Sequence, residues 1–349
     1  MRFPTRRRVA FYGAAAVLAA ALSFVPTPYA LIMPGSAVDL RGVVTVLGHT
    51  WPSQHFYLTD VTLQTRTTPI MLLAVLLPGT RVLRADEVLS RDETPPQFEG
   101  RMRKAMDESQ AIAAFVAERA AHLHVPTPKS HVIVYEVLPM SHAHGILEQG
   151  DVIRTVAGKA VRSTFDITNV LFKQKPGAIV HVIYTRERVT HAADFPTIAL
   201  KGKTRLGILL LPEFEPPKLP IPVRYRPFNV SGSSGGLMFA LAIYRTLHNE
   251  PPLSIDRIAG TGTISYDGTV GPIEGATQKL IAARRAQAQL FFVPRENYAE
   301  IARARGITIV AVHSFNDALR ALDVEASDRH PKPTRSVSMP RNLGKERLQ

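Results

Sequence analysis

Pro227-Phe-Asn-Val-Ser-Gly-Ser-Ser-Gly-Gly236 runs directly into Leu237-Met-Phe-Ala-Leu-Ala-Ile-Tyr244. A tight Ser/Gly turn thus opens a helix that is apolar on every face, and such a helix is buried. Serines at this junction sit where backbone N–H groups lack intrahelical partners and the helix dipole is positive. That setting stabilises a developing oxyanion. The same residues equally suit a plainer role, a glycine-rich loop with a serine N-cap on a core helix. The segment alone decides neither.

A serine nucleophile needs a base. A lysine serves if burial lowers its pKa from about 10.4 toward neutrality. Downstream, Gly260-Thr-Gly-Thr-Ile-Ser-Tyr-Asp-Gly268 is followed by Val270-Gly-Pro-Ile-Glu-Gly-Ala-Thr-Gln-Lys279-Leu-Ile-Ala-Ala283. Lys279 opens a helical segment and precedes an apolar patch, so it can point inward, although a lone helical lysine is more often solvated. A rival reading exists. Gly232-x-Ser234-x-Gly236 fits the nucleophile elbow G-x-S-x-G, and the order Ser234, Asp267, His313 suits an α/β-hydrolase triad. That fold, however, places several β/α units before the serine.

The upstream sequence reads differently. Val125-Pro-Thr-Pro128 is a linker, followed by Val132–Leu138, Gly145–Ile153, Val156-Ala-Gly-Lys159, a short helix near Thr164–Phe172, Pro176-Gly177 and a strand Ile179–Tyr184. This order, with Gln149-Gly150-Asp151-Val152-Ile153 at its centre, resembles a PDZ domain of the bacterial type. Such domains add an extended peptide to a sheet edge. The glycine-rich carboxylate-binding loop of those domains is not evident. Residues 34–125 open with short apolar runs, Val43–Leu47, Phe56–Leu63 and Ile70–Leu77, which read as strands. A helix over Arg101–Ala121 follows Pro95-Pro96, with Met102, Met106, Ala113, Val116 and Ala120 roughly on one face.

The chain of 349 residues has a net charge of +13, 45% hydrophobic residues and no cysteine. Wholesale disorder is excluded, as are disulfides, thiolate metal sites and a cysteine nucleophile. The charge sits at the ends. Residues 1–8 carry four Arg and no acid, and the stretch from Ser327 carries six basic residues against Asp328 and Glu346. With few aromatics interleaved, this does not make a nucleic-acid-binding surface. Val9–Val25 is free of charge for seventeen residues, roughly 26 Å of helix against a hydrocarbon core of about 30 Å. The apolar Tyr29–Met33 would complete a membrane span. The alternative, a cleaved signal peptide, lacks a good cleavage site. The positive-inside rule then places Arg2–Arg8 in the cytoplasm and the bulk of the chain outside the cytoplasmic membrane. His122/His124 and His142/His144 lack a convincing third metal ligand. Gly202-Lys203-Thr204 is not a phosphate loop, because its first glycine would fall on Thr197.

Gly232-Ser-Ser234-Gly-Gly236-Leu, Thr261-Gly-Thr-Ile, and Gly268-x-Val-Gly-Pro-Ile-x-Gly-x-x-Gln-Lys279-Leu-x-Ala-Ala283 resemble, in that order, the proteolytic domain of Lon-type serine–lysine peptidases. Leu290–Pro294 and Ile307–Leu322 continue the likeness. The whole chain resembles a membrane-anchored bacterial subgroup with an N-terminal α/β module, a PDZ domain and a Lon-like peptidase domain, and Met33–Ala37, Tyr57–Val61 and Met106–Ala114 contribute to this. The resemblance implies Ser234 as nucleophile, Lys279 as general base, Thr261 as the hydroxyl that positions the amine, and Gly232, Ser233, Gly235 and Gly236 as the oxyanion loop. It implies no metal and no cofactor, protein or peptide substrates, and an ATP-independent endopeptidase. Rings are common among such domains, so a homo-oligomer is a partner to consider. The expected class is α+β and multidomain: basic stub 1–8, transmembrane anchor 9–33, α/β module 34–125, PDZ-like domain 126–190, Lon-like peptidase domain 191–326 and a disordered tail 327–349. Two departures stand out. Ser233 replaces the family's proline, and Glu274 replaces a glycine where a carboxylate near Lys279 would raise its pKa. They motivate a non-catalytic alternative, a peptide-binding scaffold with a degenerate peptidase domain.

Overall fold

The computed structural model describes residues 22–85, 94–200, 203–248 and 253–329. The basic stub, residues 9–21 of the expected span and the tail from residue 330 lie outside the described residues. In chain order the strands are β1 (Tyr29–Asp39), β2 (Val44–Val46), β3 (His55–Gln64), β4 (Arg81–Arg84), β5 (Ser130–Val137), β6 (Val152–Val156), β7 (Lys159–Ala160), β8 (Ile179–Arg186), β9 (Val189–Pro196), β10 (Ile198–Leu200), β11 (Lys203–Arg205), β12 (Ile208–Phe214), β13 (Val223–Tyr225), β14 (Arg257–Gly260), β15 (Thr263–Ile264), β16 (Val270–Gly271), β17 (Leu290–Pro294) and β18 (Thr308–Val312). The longer helices are α1 (Pro95–Ala120), α2 (Thr164–Phe172), α3 (Gly236–His248), α4 (Ala276–Arg285) and α5 (Phe315–Arg329).

The main sheet has the order β18-β17-β14-β3-β1-β4. Strands β18, β17, β14 and β3 are parallel, and β1 and β4 extend the sheet antiparallel. Parallel strands covered on both faces read as continuous apolar runs, and β17, Leu-Phe-Phe-Val-Pro, is buried at every position. Alternate residues face opposite layers. Ile258, Leu290 and Phe292 point into a core built with α1, α3 and α5. Ala259, Phe291 and Val293 meet Ala276, Leu280 and Ala283 of α4 on the other side. Helix α3 is enclosed, with Leu237 through Ile243 all fully buried.

Residues 34–125 are therefore not a module apart. Strand β3 pairs directly with β14, with Phe56 opposite Ile258 and Leu58 opposite Gly260, and α1 packs in one core with α3. The second sheet, β12-β5-β6-β8-β9 with β7 beside β6, interrupts this body. It extends past the expected boundary at residue 190: β9 runs to Pro196, and β12 pairs with β5 as far as Phe214. The Gly150-Asp151 turn is explained by Asp151, which is 1% exposed, accepts from the Glu148 N–H and takes two bonds from Arg186.

Two expectations are corrected. Tyr29–Met33 completes no membrane span: it is the start of β1, with Ala30, Leu31 and Ile32 buried between β3 and β4. Pro26 and Pro28 prevent a helix from continuing into it. Among the described residues no helix is long and apolar enough to cross a membrane. Ile70–Leu77 forms no strand; Met71–Leu76 is a 3-10 helix, because Pro69 and Pro78-Gly79 bracket the run. The last helix also runs to Arg329, three residues into the segment expected to be disordered.

Because the central strand β14 depends on β3 for one of its edges, residues 215–349 expressed alone are expected to show no cooperative thermal transition by circular dichroism. The full chain carrying Phe56→Ala should keep one, with stability lowered by about 3–5 kcal/mol. A cooperative melt of the isolated fragment would contradict the shared core.

Candidate active site

The Ser/Gly loop is shaped from outside. Gly232 has φ +93, a left-handed conformation suited to glycine, and its N–H donates to Met102 O on α1 at 2.9 Å. Ser109 Oγ, one helical stretch further along α1, donates to Ser233 O at 3.0 Å. A Cβ on Gly236 would lie 2.7 Å from Ile264 Cγ2 and 2.8 Å from Ser109 Oγ, so α3 starts where only glycine fits. At the carboxyl end of β14, Gly262 N–H and Thr261 Oγ1 both donate to Ser234 O, at 2.7 and 3.0 Å. Open parallel sheets place their ligand sites at this end of the strands.

Lys279 arrives from the other face. Asn297 holds the preceding loop by bonding both the N–H and the C=O of Ile273, at 2.9 and 3.0 Å. Gly275, at φ +73, turns the chain into α4, and Gln278 Nε2 donates to Gly79 O at 2.8 Å. Lys279 is 2% exposed. Its Nζ donates to Ser234 Oγ at 2.5 Å and to Thr261 Oγ1 at 3.0 Å. The Thr261 hydroxyl thus accepts from the amine while donating to the serine carbonyl, and it holds the two chain segments together.

Burial lowers the Lys279 pKa from 10.5 to about 7, against the raising effects of Asp60 and then Glu274. The expected opposition from Glu274 is present but loses to desolvation. Its carboxylate is 62% exposed and is paired with Lys203 Nζ at 2.5 Å. Among the described residues the lysine amine bonds neither Ser231 nor Ser233. The N–H groups of Ser233, Ser234 and Gly235 take no acceptor there either. The rival triad is not assembled: Asp267 accepts from Thr269 N–H, and His313 Nδ1 faces Glu296 at 3.5 Å.

Ser234 and Lys279 open onto a cavity of about 460 Å³. Met102 of α1, Leu171 of α2, and Ile208 and Leu210 of β12 help to line it, so one wall belongs to the second sheet. Sequence reading did not single out Met102, Asp60 or Asn297 as parts of this site. Met102 acts through its backbone and Asn297 through the backbone of Ile273, 24 residues away. Ser109 was legible only as part of the pattern Met106–Ala114.

Residues 226–321 match the C-terminal proteolytic domain of Lon protease (S16). Over 92 residues the chain is 37% identical to Lon protease 2 of Bacillus subtilis, covering 26% of this chain and 16% of that one. Over 255 residues it is 25% identical to a Lon protease of Chloroflexus aggregans, covering 71% of this chain and 27% of that one. The chain thus spans a minor part of the curated relatives it matches. A solved PDZ domain of the SdrC-like protein from Listeria monocytogenes is similar to 23% of this chain and 85% of its own, with 28% identity and a TM-score of 0.22.

The lysine environment has a thermodynamic signature. Its pKa is about 7 in the fold and 10.5 ordinarily, so the unfolded chain binds more protons between those values and stability rises with pH across that window. Below pH 7 the burial penalty is fully present. Lys279→Met should stabilise the protein at pH 6 by on the order of 1–3 kcal/mol. In urea unfolding at pH 9.5 that advantage should be smaller; an unchanged difference would contradict the buried amine.

Proposed function

We propose that this chain is a Lon-type serine endopeptidase that works without ATP, using Ser234 as nucleophile and Lys279 as general base. The observation that carries this reading is the bond between a desolvated lysine amine and a serine hydroxyl at the mouth of a helix. A scaffold with a degenerate site has no need to hold an amine in so costly a place.

Near neutral pH a substantial fraction of Lys279 carries no charge, and its Nζ takes the proton of Ser234 Oγ as that oxygen attacks a peptide carbonyl. The oxyanion that forms meets the N–H groups of Ser233, Ser234 and Gly235 at the positive end of α3. The ammonium then passes its proton to the leaving amine, and water releases the acyl group with Lys279 again as base. Thr261 keeps the amine aimed at Ser234. Serine in place of proline at position 233 loosens no part of this loop that Met102, Ser109 and Gly262 hold by hydrogen bonds.

The chain carries no recognisable phosphate loop, which supports substrates that are already unfolded or locally flexible. The PDZ-like sheet contributes β12 and α2 to the cavity wall, which supports a role in selecting or gating peptide segments. The charge-free stretch Val9–Val25 after four arginines supports tethering to the cytoplasmic membrane with the catalytic body outside it.

With unfolded casein as substrate and no ATP, Ser234→Ala and Lys279→Ala are each expected to lower kcat/KM by about 10³-fold or more. His313→Ala should leave it unchanged; the reverse outcome would favour a hydrolase triad. In the active enzyme kcat/KM should climb through about pH 7, following the neutral amine. Glu274→Gln removes a charge that raises the Lys279 pKa, so the climb should move to lower pH. A profile unmoved by Glu274→Gln would show that this carboxylate does not act on the lysine.

A further inference from the structure

Ile70-Met-Leu-Leu-Ala-Val-Leu-Leu77 is an unbroken apolar run whose 3-10 helix buries none of its side chains. Leu73, Leu76 and Leu77 are 63%, 81% and 60% exposed. Phe24 and Val25 are exposed as well. They lie at the same place, because Thr27 N–H donates to Thr67 O at 2.8 Å and Thr67 Oγ1 to Tyr29 O at 2.7 Å. Both apolar stretches therefore start within three residues of one hydrogen-bonded joint. From Val61 to Ala85 the chain holds Arg66, Arg81 and Arg84 and no acidic residue. An exposed apolar ridge flanked by arginines marks an interaction surface.

We infer that Ile70–Leu77, together with Phe24 and Val25, seats in the headgroup region of an anionic bilayer. Three features select a bilayer as occupant. The charge-free segment Val9–Val25 ends inside the patch, and at roughly 26 Å it falls short of a hydrocarbon core of about 30 Å, so a span there draws its flanking residues into the interface. Only Pro26 separates Val25 from Thr27, which is bonded to the body, so the ridge has no slack to stand away. Exposed Arg66 and Arg81 suit anionic headgroups, whereas a second copy packed ridge to ridge would set arginine against arginine. The ridge closes at Gly79, whose carbonyl takes the bond from Gln278, next to Lys279. The lipid-facing loop therefore rests on the catalytic helix.

The first of these features rests on the reading of residues 9–25 as an anchor, and the test separates the two. The chain has no cysteine, so one placed at Leu76, Ala15 or Ile179 takes an environment-sensitive fluorophore alone. The full-length protein is reconstituted into phosphatidylcholine–phosphatidylglycerol vesicles with or without a bilayer-embedded quencher. The Leu76 probe should be quenched roughly threefold or more, and the probe at Ile179, 73% exposed on β8, should not. Adding Leu73→Asp should relieve quenching at Leu76 while leaving Ala15 quenched. Quenching at Leu76 but not Ala15 would support the ridge while refuting the anchor. Quenching at Ala15 but not Leu76 would refute the ridge and leave the anchor standing; quenching at neither would refute both. A blue shift at Leu76 without lipid quenching would overturn the inference in favour of a protein partner, a second copy included.

Discussion

A primary amine is buried beside β14 and, among the described residues, has two hydroxyls and no carboxylate for direct partners. That constraint organises the rest of the molecule. A carboxylate in contact would fix the ammonium and raise its pKa, whereas desolvation without one brings the amine to about 7. The surroundings must therefore hold Lys279 in place by packing and backbone geometry rather than by charge. Gly275, Asn297 and Gln278 set the start of α4, and Ala276, Leu280 and Ala283 seat it on the sheet. The serine comes to the amine from the opposite side of the sheet, on a loop held by α1 and by the residues after β14.

That arrangement needs the N-terminal residues as much as the C-terminal ones. Strand β3 supplies the edge on which β14 pairs, and α1 supplies Met102 and Ser109 to the loop. The second sheet is inserted between these halves and is joined to them by few polar contacts. Thr164 Oγ1 donates to Glu108 at 2.9 Å, where burial pushes the Glu108 carboxyl up to about 8. Asn169 Nδ2 donates to Ser265 Oγ at 3.2 Å. The joint places α2 and β12 along the cavity, so a polypeptide reaching Ser234 passes the second sheet.

Ser234, Thr261 and Lys279 were legible as candidates through the resemblance of their glycine-rich runs, taken in order, to the Lon-type proteolytic domain; no single run decided it. The helix expected over Arg101–Ala121 was legible from its spacing, although it runs from Pro95 to Ala120, and the short helix at Thr164–Phe172 was legible from its place in the PDZ-like order. The domain plan was not. Nothing in His55–Gln64 announces a parallel partner two hundred residues away, because pairing is made by backbone groups common to every residue. For the same reason the contacts made by the Met102 carbonyl and the Ile273 backbone left no trace in the side-chain pattern. Ile70–Leu77 misled as a short apolar run between turn residues: its Leu, Met and Ala residues favour helix over strand, and the prolines on either side confine it to a 3-10 helix.

The most direct test of the central claim is labelling by a fluorophosphonate, which reacts with an activated serine without needing a peptide substrate. Peptide mass spectrometry would locate the label and follow its rate against pH in the full chain and in Lys279→Ala. The account predicts a single label on Ser234, with a rate that rises through about pH 7 and collapses in Lys279→Ala. Label on Ser231 or Ser233, or a Ser234 rate that survives the loss of Lys279, would contradict it.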